Sequence, residues 1–495
     1  MIRNVPPRAD AMLEALRGLG YTTPTALADL VDNSISANAT SIHINFHWLA
    51  ADSWISISDN GSGMLEGELL SAMRLGDRNP LHARTVTDLG RFGLGLKTAS
   101  FSQARRLTVS AVKDGVATCL RWDLDVLASS ENGEWSLLDG PAQSSETRIR
   151  NKLSAMHGTV VLWENLDRIV TDSFSPQDFL DLIDLVERHL AMVFHRYLDG
   201  SGSRIDLKLN GKSICAWDPF LSRHSATWRS PQSFIGAGSA GVTGQAYVLP
   251  HKDRLTEKEY ISAGGVEGWP GQQGFYIYRG RRLLVAGSWL GLGRGRSWSK
   301  DDAHRLARIR LDLPNNMDAA WQIDIRKSSA QPPTAIRPQL HRLAEDARDR
   351  ARRVFMHRAQ SNTTGGRGEE VAPVWQSREA KGGRRYGVDR THPAVAELLS
   401  HRDLGTKVEA MLRVLEETIP VQRIWLEAAE TGEHSKGGFS GQPDTAVREV
   451  LEIVYQSLVQ RKGMTPSAAK RQLLRTEPFD LHPDLVNGLP ESSKE

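Results

Sequence analysis

The sequence predicts an α+β protein with room for about three domains, and three patterns along the chain carry that reading. Within residues 1–170, helical spacing of apolar residues gives way to strict alternation, the pattern of half-buried strands beside amphipathic helices. Across residues 205–314 short alternating stretches dominate, and beyond residue 390 the spacing is helical again.

The elements follow in order. Met12, Leu13, Ala15, Leu16 and Leu19 fall at helical spacing, so residues 8–19 read as a short helix closed by Gly18-Leu19-Gly20. Thr23 offers a cap for the next helix, Pro24 suits its first turn, and Leu27, Leu30, Val31 and Ile35 form its apolar face. On the opposite side Asp29 and Asn33 lie four residues apart, with Asp32 and Ser36 beside them. Alone, such a stripe is most often a solvated face. Two strands come next, carried by Ile42, Ile44, Phe46 and Trp48 and then by Ile55 and Ile57, before Asp59-Asn60-Gly61-Ser62-Gly63. That pentapeptide suits a hairpin turn, but no partner strand follows it, because residues 65–75 are helical in spacing. A strand that ends in Asp-x-Gly-x-Gly and enters a helix presents a carboxylate and bare backbone at a sheet edge, which makes a pocket floor.

Gly90, Gly93 and Gly95 then run into Leu96, Lys97 and Thr98. Glycines let backbone N–H groups approach an anion, and a helix starting near Leu96 turns its positive end the same way. A P-loop is ruled out because Leu96 separates Gly95 from Lys97, and the dinucleotide fingerprint has the reverse glycine spacing. By itself the segment is also compatible with a flexible turn. Further on, Thr159 opens a strand through His157–Glu164.

Read together, Asp29 and Asn33, then Asp59, Gly61 and Gly63, then the glycine-rich run and Thr159 resemble the four nucleotide-binding motifs of the GHKL ATPase superfamily, which includes gyrase B subunits, MutL, histidine kinases and MORC proteins. The stretches ALADLVDNS and FGLGLKTAS look most like MORC-type and bacterial MutL-like members. The resemblance implies a Bergerat-fold α/β sandwich in residues 1–170 that binds ATP and Mg²⁺. By that resemblance Asn33 ligates the metal, Asp59 reads the adenine amino group with Thr159 in support, and Gly61 and Gly63 admit the base. Gly90, Gly93, Gly95, Leu96 and Lys97 form a lid over the phosphates, although a lysine at 97 is equally compatible with solvent. Most hydrolysing members carry glutamate where Asp29 stands as the general base. Aspartate is shorter by about 1.5 Å, and misplacement on the order of 1 Å can cost ~100-fold in rate. Slow turnover is therefore expected, and the alternative is a non-hydrolysing, ATP-dependent scaffold that recruits other proteins.

Ser175-Pro176-Gln177-Asp178 signals a helix start, with Phe179, Leu182, Ile183, Val186, Leu190 and Val193 on one face, and places a domain boundary between residues 166 and 175. Residues 171–335 resemble the transducer (S5-like) α/β domain that follows the ATPase in MutL, gyrase B and MORC proteins. The resemblance assigns Lys327 to the γ-phosphate; its rival is a surface cation beside Arg326. Residues 336–372 read as a basic helix and linker, and residues 373–495 as a mainly helical interaction domain for partner proteins.

Composition limits the partners. With 40% hydrophobic and 24% charged residues the chain can bury true cores. Cys119 and Cys215 are too few for a disulfide framework or zinc cluster, and no apolar run approaches the ~18 residues that span a bilayer. A cytoplasmic protein that does not engage membranes is expected. A formal net charge of +3 is nearly neutral for 495 residues, so nucleic-acid affinity must come from local patches. Arg281, Arg282, Arg294, Arg296, Arg305, Arg308, Arg310, Arg342, Arg348, Arg350, Arg352 and Arg353 supply one. The expectation is an ATP-closed homodimer that holds double-stranded DNA without reading its sequence.

Overall fold

The computed structural model describes residues 7–77, 95–130, 133–150, 152, 156–200, 202, 204–236, 241–314, 317, 320–324, 329–356, 374–380, 383–400, 402, 404–420, 445–476 and 479–491. They fall into two compact units, divided after residue 357.

The first unit is built on two sheets. The larger has eight strands in the order β5-β4-β3-β6-β2-β1-β7-β8. They are β1 (Ser41–His47), β2 (Trp54–Asp59), β3 (Arg106–Lys113), β4 (Val116–Asp123), β5 (Leu138–Asp139), β6 (Gly158–Glu164), β7 (Asp206–Leu209) and β8 (Lys212–Ser213). Neighbours run antiparallel except β1 and β7, which are parallel. The alternation seen in the sequence is realised in β1, where Ile42, Ile44 and Phe46 are buried and His43, Asn45 and His47 face the other side.

Helices cover the face that holds Ile42, Ile44 and Ile57. They include α1 (Ala9–Arg17), α2 (Thr23–Ser36), α3 (Glu66–Met73) and α4 (Gly95–Phe101), followed by short α5 (Leu124–Ala128) and long α7 (Pro176–Val193), while short α6 (Glu146–Arg150) sets Ile149 against Val160 and Leu162 on the opposite face. Leu13, Leu27, Leu30, Val31, Leu69, Met73, Phe101, Val186 and Leu190 meet the strands in one core. The cap of α2 is Thr22, one residue before the expected Thr23; its backbone N–H donates to Thr25 Oγ1 at 3.0 Å. Thr23 instead lies within the first turn, its hydroxyl donating to Gln103 Oε1 at 2.6 Å.

The first sheet runs past the expected boundary. Helix α7 starts at the Ser175 cap as its sequence signals, yet Phe179, Val186 and Leu190 belong to the first core, and β7 and β8 extend the first sheet. The chain commits to the second sheet only after Ile214. Pairing between Ser41 and Asp206 joins strands too far apart in sequence for any local pattern to reveal.

The second sheet has the order β10-β11-β14-β12-β13, with β9 also on β11. Its strands are β9 (Trp228–Arg229), β10 (Ser233–Ile235), β11 (Val242–Val248), β12 (Gly274–Arg279), β13 (Arg282–Ser288) and β14 (Ala307–Leu313). A 20-residue helix, here α8 (Arg337–Met356), lies against β11 and β14. Leu340, Ala344, Ala347 and Ala351 recur at helical spacing and are fully buried, so this basic helix is core to the second sheet rather than part of a linker.

The second unit pairs a hairpin, β15 (Trp375–Ala380) with β16 (Gly383–Val388), with helices Pro393–Ser400, Gly405–Thr418, Thr445–Gln456, Pro466–Leu473 and Pro483–Asn487. Leu451, Tyr455, Leu458, Leu473, Phe479 and Val486 form its core. The helices were legible in the sequence; the hairpin was not, because Gln376-Ser377-Arg378-Glu379 and Arg384-Arg385 carry no apolar alternation.

Replacing Leu340 by Ala tests the core role of α8. A large-to-small change at a fully buried site should cost about 2–5 kcal/mol, lowering the urea midpoint; an unchanged midpoint would return α8 to the solvated linker role.

Candidate nucleotide site

Helix α2 carries the acidic side chains of the site, and two of them are buried. Asp29 is 4% exposed and Asp32 1%, whereas Asn33 faces solvent. Residues three and four apart share a helix face, so Asp29, Asp32 and Asn33 lie along one side of α2, with the two carboxylates covered and the amide at the solvent-facing rim. Two buried carboxylates a turn apart need partners. Tyr21, just ahead of α2, donates its hydroxyl to Asp29 Oδ2 at 2.9 Å. Burial, with the Asp29 charge in second place, raises the phenol far above its ordinary value, so Tyr21 remains a donor at any physiological pH. Thr98 of α4 hydrogen-bonds the same phenol. The start of α4 therefore meets α2 here, and a Cβ on Gly95 would sit 3.5 Å from Asp29 Oδ2.

The other partner comes from the second sheet. Arg282, the first residue of β13, is 4% exposed; its Nε donates to both Asp32 oxygens at 3.1 and 3.3 Å, and its Nη2 stands 3.9 Å from Asp29 Oδ1. Its Nη1 donates to the Leu283 carbonyl at 2.5 Å. The Arg282 charge, after burial, also helps push His189 of α7 down to about 4, leaving that imidazole neutral.

The strand-end motif is organised by α2 as well. Asp59 closes β2, opposite Thr159 in the β2–β6 register. Its Oδ2 accepts from Ser34 of α2 at 2.8 Å and its Oδ1 from the Gly61 N–H at 2.9 Å. Burial raises the Asp59 carboxyl above its usual range, with the hydrogen bonds from Gly61, Ser34 and Thr159 pulling back. The glycines have a local reason to be glycine. A Cβ at Gly61 would come within 2.9 Å of the Ala37 carbonyl at the end of α2. Gly63 has φ +66°, and a Cβ there would fall 1.8 Å from the Val112 carbonyl of β3. Both let one strand end pass close to its neighbours.

Lys97 is neither solvated nor directed to open space. It is 2% exposed, and its Nζ donates to the carbonyls of Ala72 and Arg74 at 2.9 Å each, at the carboxyl end of α3. Leu96 is partly buried against the first core, and its carbonyl accepts from Ser100 Oγ at 2.5 Å. Gly90, Gly93 and Lys327 lie outside the described residues. Asp324 is among the charges acting on Tyr21.

The structure thus brings Asp29, Gly95, Asp59, Gly61, Gly63 and Thr159 around α2, and adds Tyr21, Ser34, Asp32 and Arg282, which the motif reading did not assign. Tyr21 and Ser34 lie within or beside the motif helix and were within reach of sequence reasoning; Arg282, 250 residues from Asp32, was not. A cavity of about 790 Å³ lies elsewhere, lined by His195, Arg196, Asp218, Phe220, Tyr247 and Arg310, and none of the motif residues borders it. Among the described residues no group of three or more His, Cys, Asp or Glu is placed to hold a metal.

The arginines expected to form a DNA wall are largely committed. Arg282 and Arg308 are buried, and Arg305 is 7% exposed and lies 5.0 Å over the Phe355 ring. Arg281 lies 4.6 Å over Tyr197, Arg310 pairs with Asp312 at 3.0 Å, and Arg348 stacks 4.7 Å from both Trp289 and Trp298. Arg350 lies over Trp228, and Arg294 pairs with Glu345 at 3.2 Å while 80% exposed. Arg296, Arg342 and Arg353 are exposed and Arg352 is half-buried.

Because the folded Asp59 carboxyl titrates above its unfolded value, its contribution to stability is present at low pH and lost as pH rises through the folded value. Asp59→Asn should therefore melt higher than wild type without nucleotide at pH 8, with the gap shrinking toward pH 4. Melting curves at both values decide; a gap of the opposite sign would mean that the carboxylate is stabilised, not strained, by its surroundings.

Comparison with known families matches residues 21–159 to the histidine kinase-, DNA gyrase B-, and HSP90-like ATPases. Among curated proteins the chain is similar to ATPase morc-1 of Caenorhabditis elegans, 27% identical over 194 residues, covering 33% of this chain and 22% of that protein. The chain thus spans under a quarter of that relative's length. Among the described residues no helix is long and apolar enough to cross a membrane. The motif residues that carry the site thus lie within a stretch, 21–159, that matches the model of the GHKL-type ATPases, and part of the chain is similar to a MORC ATPase.

Proposed function

We propose that the chain binds ATP with Mg²⁺ at α2 and hydrolyses it slowly, and that the nucleotide state closes a homodimer. The observation that supports this reading is that one helix reaches both candidate groups: Ser34 of α2 hydrogen-bonds Asp59 at the strand end, and Asp29, one turn and a residue earlier, accepts from Tyr21. Asp59 would accept from the adenine amino group, its remaining lone pairs being suited to an exocyclic amine. Asn33, exposed on α2, would supply an oxygen to Mg²⁺. The metal's chemistry there is charge neutralisation on the phosphates. The backbone of Gly90, Gly93, Gly95 and Leu96 would close over the phosphates, with Lys97 pinning α4 to α3 at the base of that lid. Asp29 would take the proton of the attacking water, and Lys327 would approach the γ-phosphate.

Asp59→Asn should abolish ATP binding in calorimetry, because an amide presents a donor where adenine also donates; wild-type affinity would remove the pocket. Asp29→Asn should keep ATP while losing turnover by about 10²–10⁴-fold, the usual worth of a general base. Asp29→Glu should match or exceed the wild-type rate. If wild type and Asp29→Glu both bind ATP without hydrolysing it, the protein is the non-hydrolysing scaffold.

For nucleic acid, the reading narrows to the outward-facing cations. Arg294, Arg296, Arg342 and Arg353 would touch duplex phosphates without reading sequence, whereas Arg282 belongs to the nucleotide site. Reversing those four to Glu should remove a low-salt gel shift of duplex DNA and leave ATP affinity unchanged; a shift that survives would place DNA elsewhere or nowhere on this unit.

A further inference from the structure

Arg282 stands at the tip of the second sheet, next to the β12–β13 turn in which Gly280 has φ +59°. That turn is held against the end of α7 and the residues after it: Arg196 Nη1 donates to the Gly280 carbonyl at 3.3 Å, Arg281 Nη2 donates to the Arg196 carbonyl, and the Arg282 guanidinium lies 5.8 Å from the Phe194 ring centroid. From this position Arg282 reaches a helix of the first sheet and divides its charge between two carboxylates. It bonds Asp32 directly and stands 3.9 Å from Asp29, farther than a hydrogen bond but close enough for a strong field in a buried site.

The division is asymmetric for a physical reason. Asp29 already accepts from Tyr21, so Asp32, the more buried of the two, takes the direct hydrogen bonds, both from Nε, and the Nη2 edge is left toward Asp29. Without the arginine, two buried carboxylates one helical turn apart would repel each other, and Asp29 would shift away from Asp32 toward Tyr21. With it, Asp29 is held between a phenol on one side and a guanidinium on the other. Nothing in a nucleotide pocket of one domain calls for an arginine from the next domain bound to the same helix as the candidate base. A cation tying α2 to β13 does more than hold the domains together when the residue beside its partner is that base.

We infer that Arg282 is a positioning residue for ATP hydrolysis, which sets the orientation of Asp29 while anchored on Asp32, so that the placement of the second sheet controls the competence of the base. The inference rests on the reading of Asp29 as general base. It assigns Arg282 no contact with ATP. Its loss should therefore appear in turnover rather than in affinity, since a base displaced by about 1 Å can cost on the order of a hundredfold.

The test uses full-length protein, with a non-hydrolysable ATP analogue for affinity and phosphate release for turnover. Arg282→Gln alone removes the cation from a buried Asp32 carboxylate and is expected to fold poorly. The double variant Asp32→Asn/Arg282→Gln removes both charges and leaves an amide pair. It should melt near wild type and bind the analogue within about threefold, yet turn over about ten to a hundredfold more slowly. Asp32→Asn alone, which releases Arg282 to Asp29, should turn over faster than the double variant. Arg282→Lys, which keeps the charge but not the fork, should fall between wild type and the double variant. Wild-type turnover in the double variant, or equal rates for Asp32→Asn and the double variant, would overturn the inference and leave Arg282 a structural partner of Asp32. A wild-type protein that binds the analogue without hydrolysing ATP, or that does not bind it, would instead remove the general-base reading and this inference with it.

Discussion

Two carboxylates buried on one helix are the constraint around which the first unit is arranged. Asp29 and Asp32 lie in a region that charge does not enter without compensation, and each compensation recruits another part of the chain. Tyr21 brings the segment ahead of α2, Thr98 brings α4, and Arg282 brings the second sheet. A helix with a polar stripe this acidic would ordinarily turn it to solvent. Here the apolar face packs on the sheet, the acidic side is covered by Tyr21, the start of α4 and the Arg282 side chain, and Asn33 is among the residues left exposed. The buried ion pair is weak grounds for added stability, since well-packed apolar groups often do as well. Its specificity is of more consequence, because an arginine with a planar fork fixes the angle between the elements it joins.

What was legible in the sequence was what depends on spacing within a segment. The alternation of Ile42, Ile44 and Phe46 and the break after Asp59 follow from patterns a few residues long, whereas the placing of Thr159 beside Asp59 came from the motif resemblance. The fold class and the motif residues came from those patterns and from their order. The burial of Arg282 did not, because Arg279-Gly280-Arg281-Arg282 has the composition of an exposed basic turn and nothing near it in sequence names Asp32 as its partner. The burial of Lys97 was not legible for a related reason: the carbonyls it caps belong to the end of a helix over twenty residues earlier. The boundary near residue 170 was drawn at a true helix start, but a cap signals where a helix begins and says nothing of which core its face will join.

The two faces of the second sheet show how charge can be dense without being available. Ile309 and Leu311 of β14 meet α8 on one side, while Arg308, Arg310 and Asp312 point to the other, among Tyr247, Tyr276 and Tyr278. Arg196 lies 3.4 Å over the Tyr278 ring, and His195 hydrogen-bonds the same tyrosine at 2.8 Å. Guanidinium groups stacked on aromatic rings and paired with Asp312 behave as packing material. Counting basic residues along the sequence therefore overstates the field this unit presents to a polyanion.

The parallel pairing of β1 with β7 bears on how the protein is made. Strand β1 emerges early in synthesis with one edge unpaired, and its neighbour on that side emerges only after β6 and the whole of α7. During that interval Ile42, Ile44 and Phe46 are part of an open, strongly apolar edge, the kind of surface onto which another chain can add. A fragment cut at residue 159, where the family match ends, would make that interval permanent. The segment from 176 to 213 is thus an intramolecular guard for the nucleotide domain, and its arrival marks the moment at which the nascent first sheet stops being sticky.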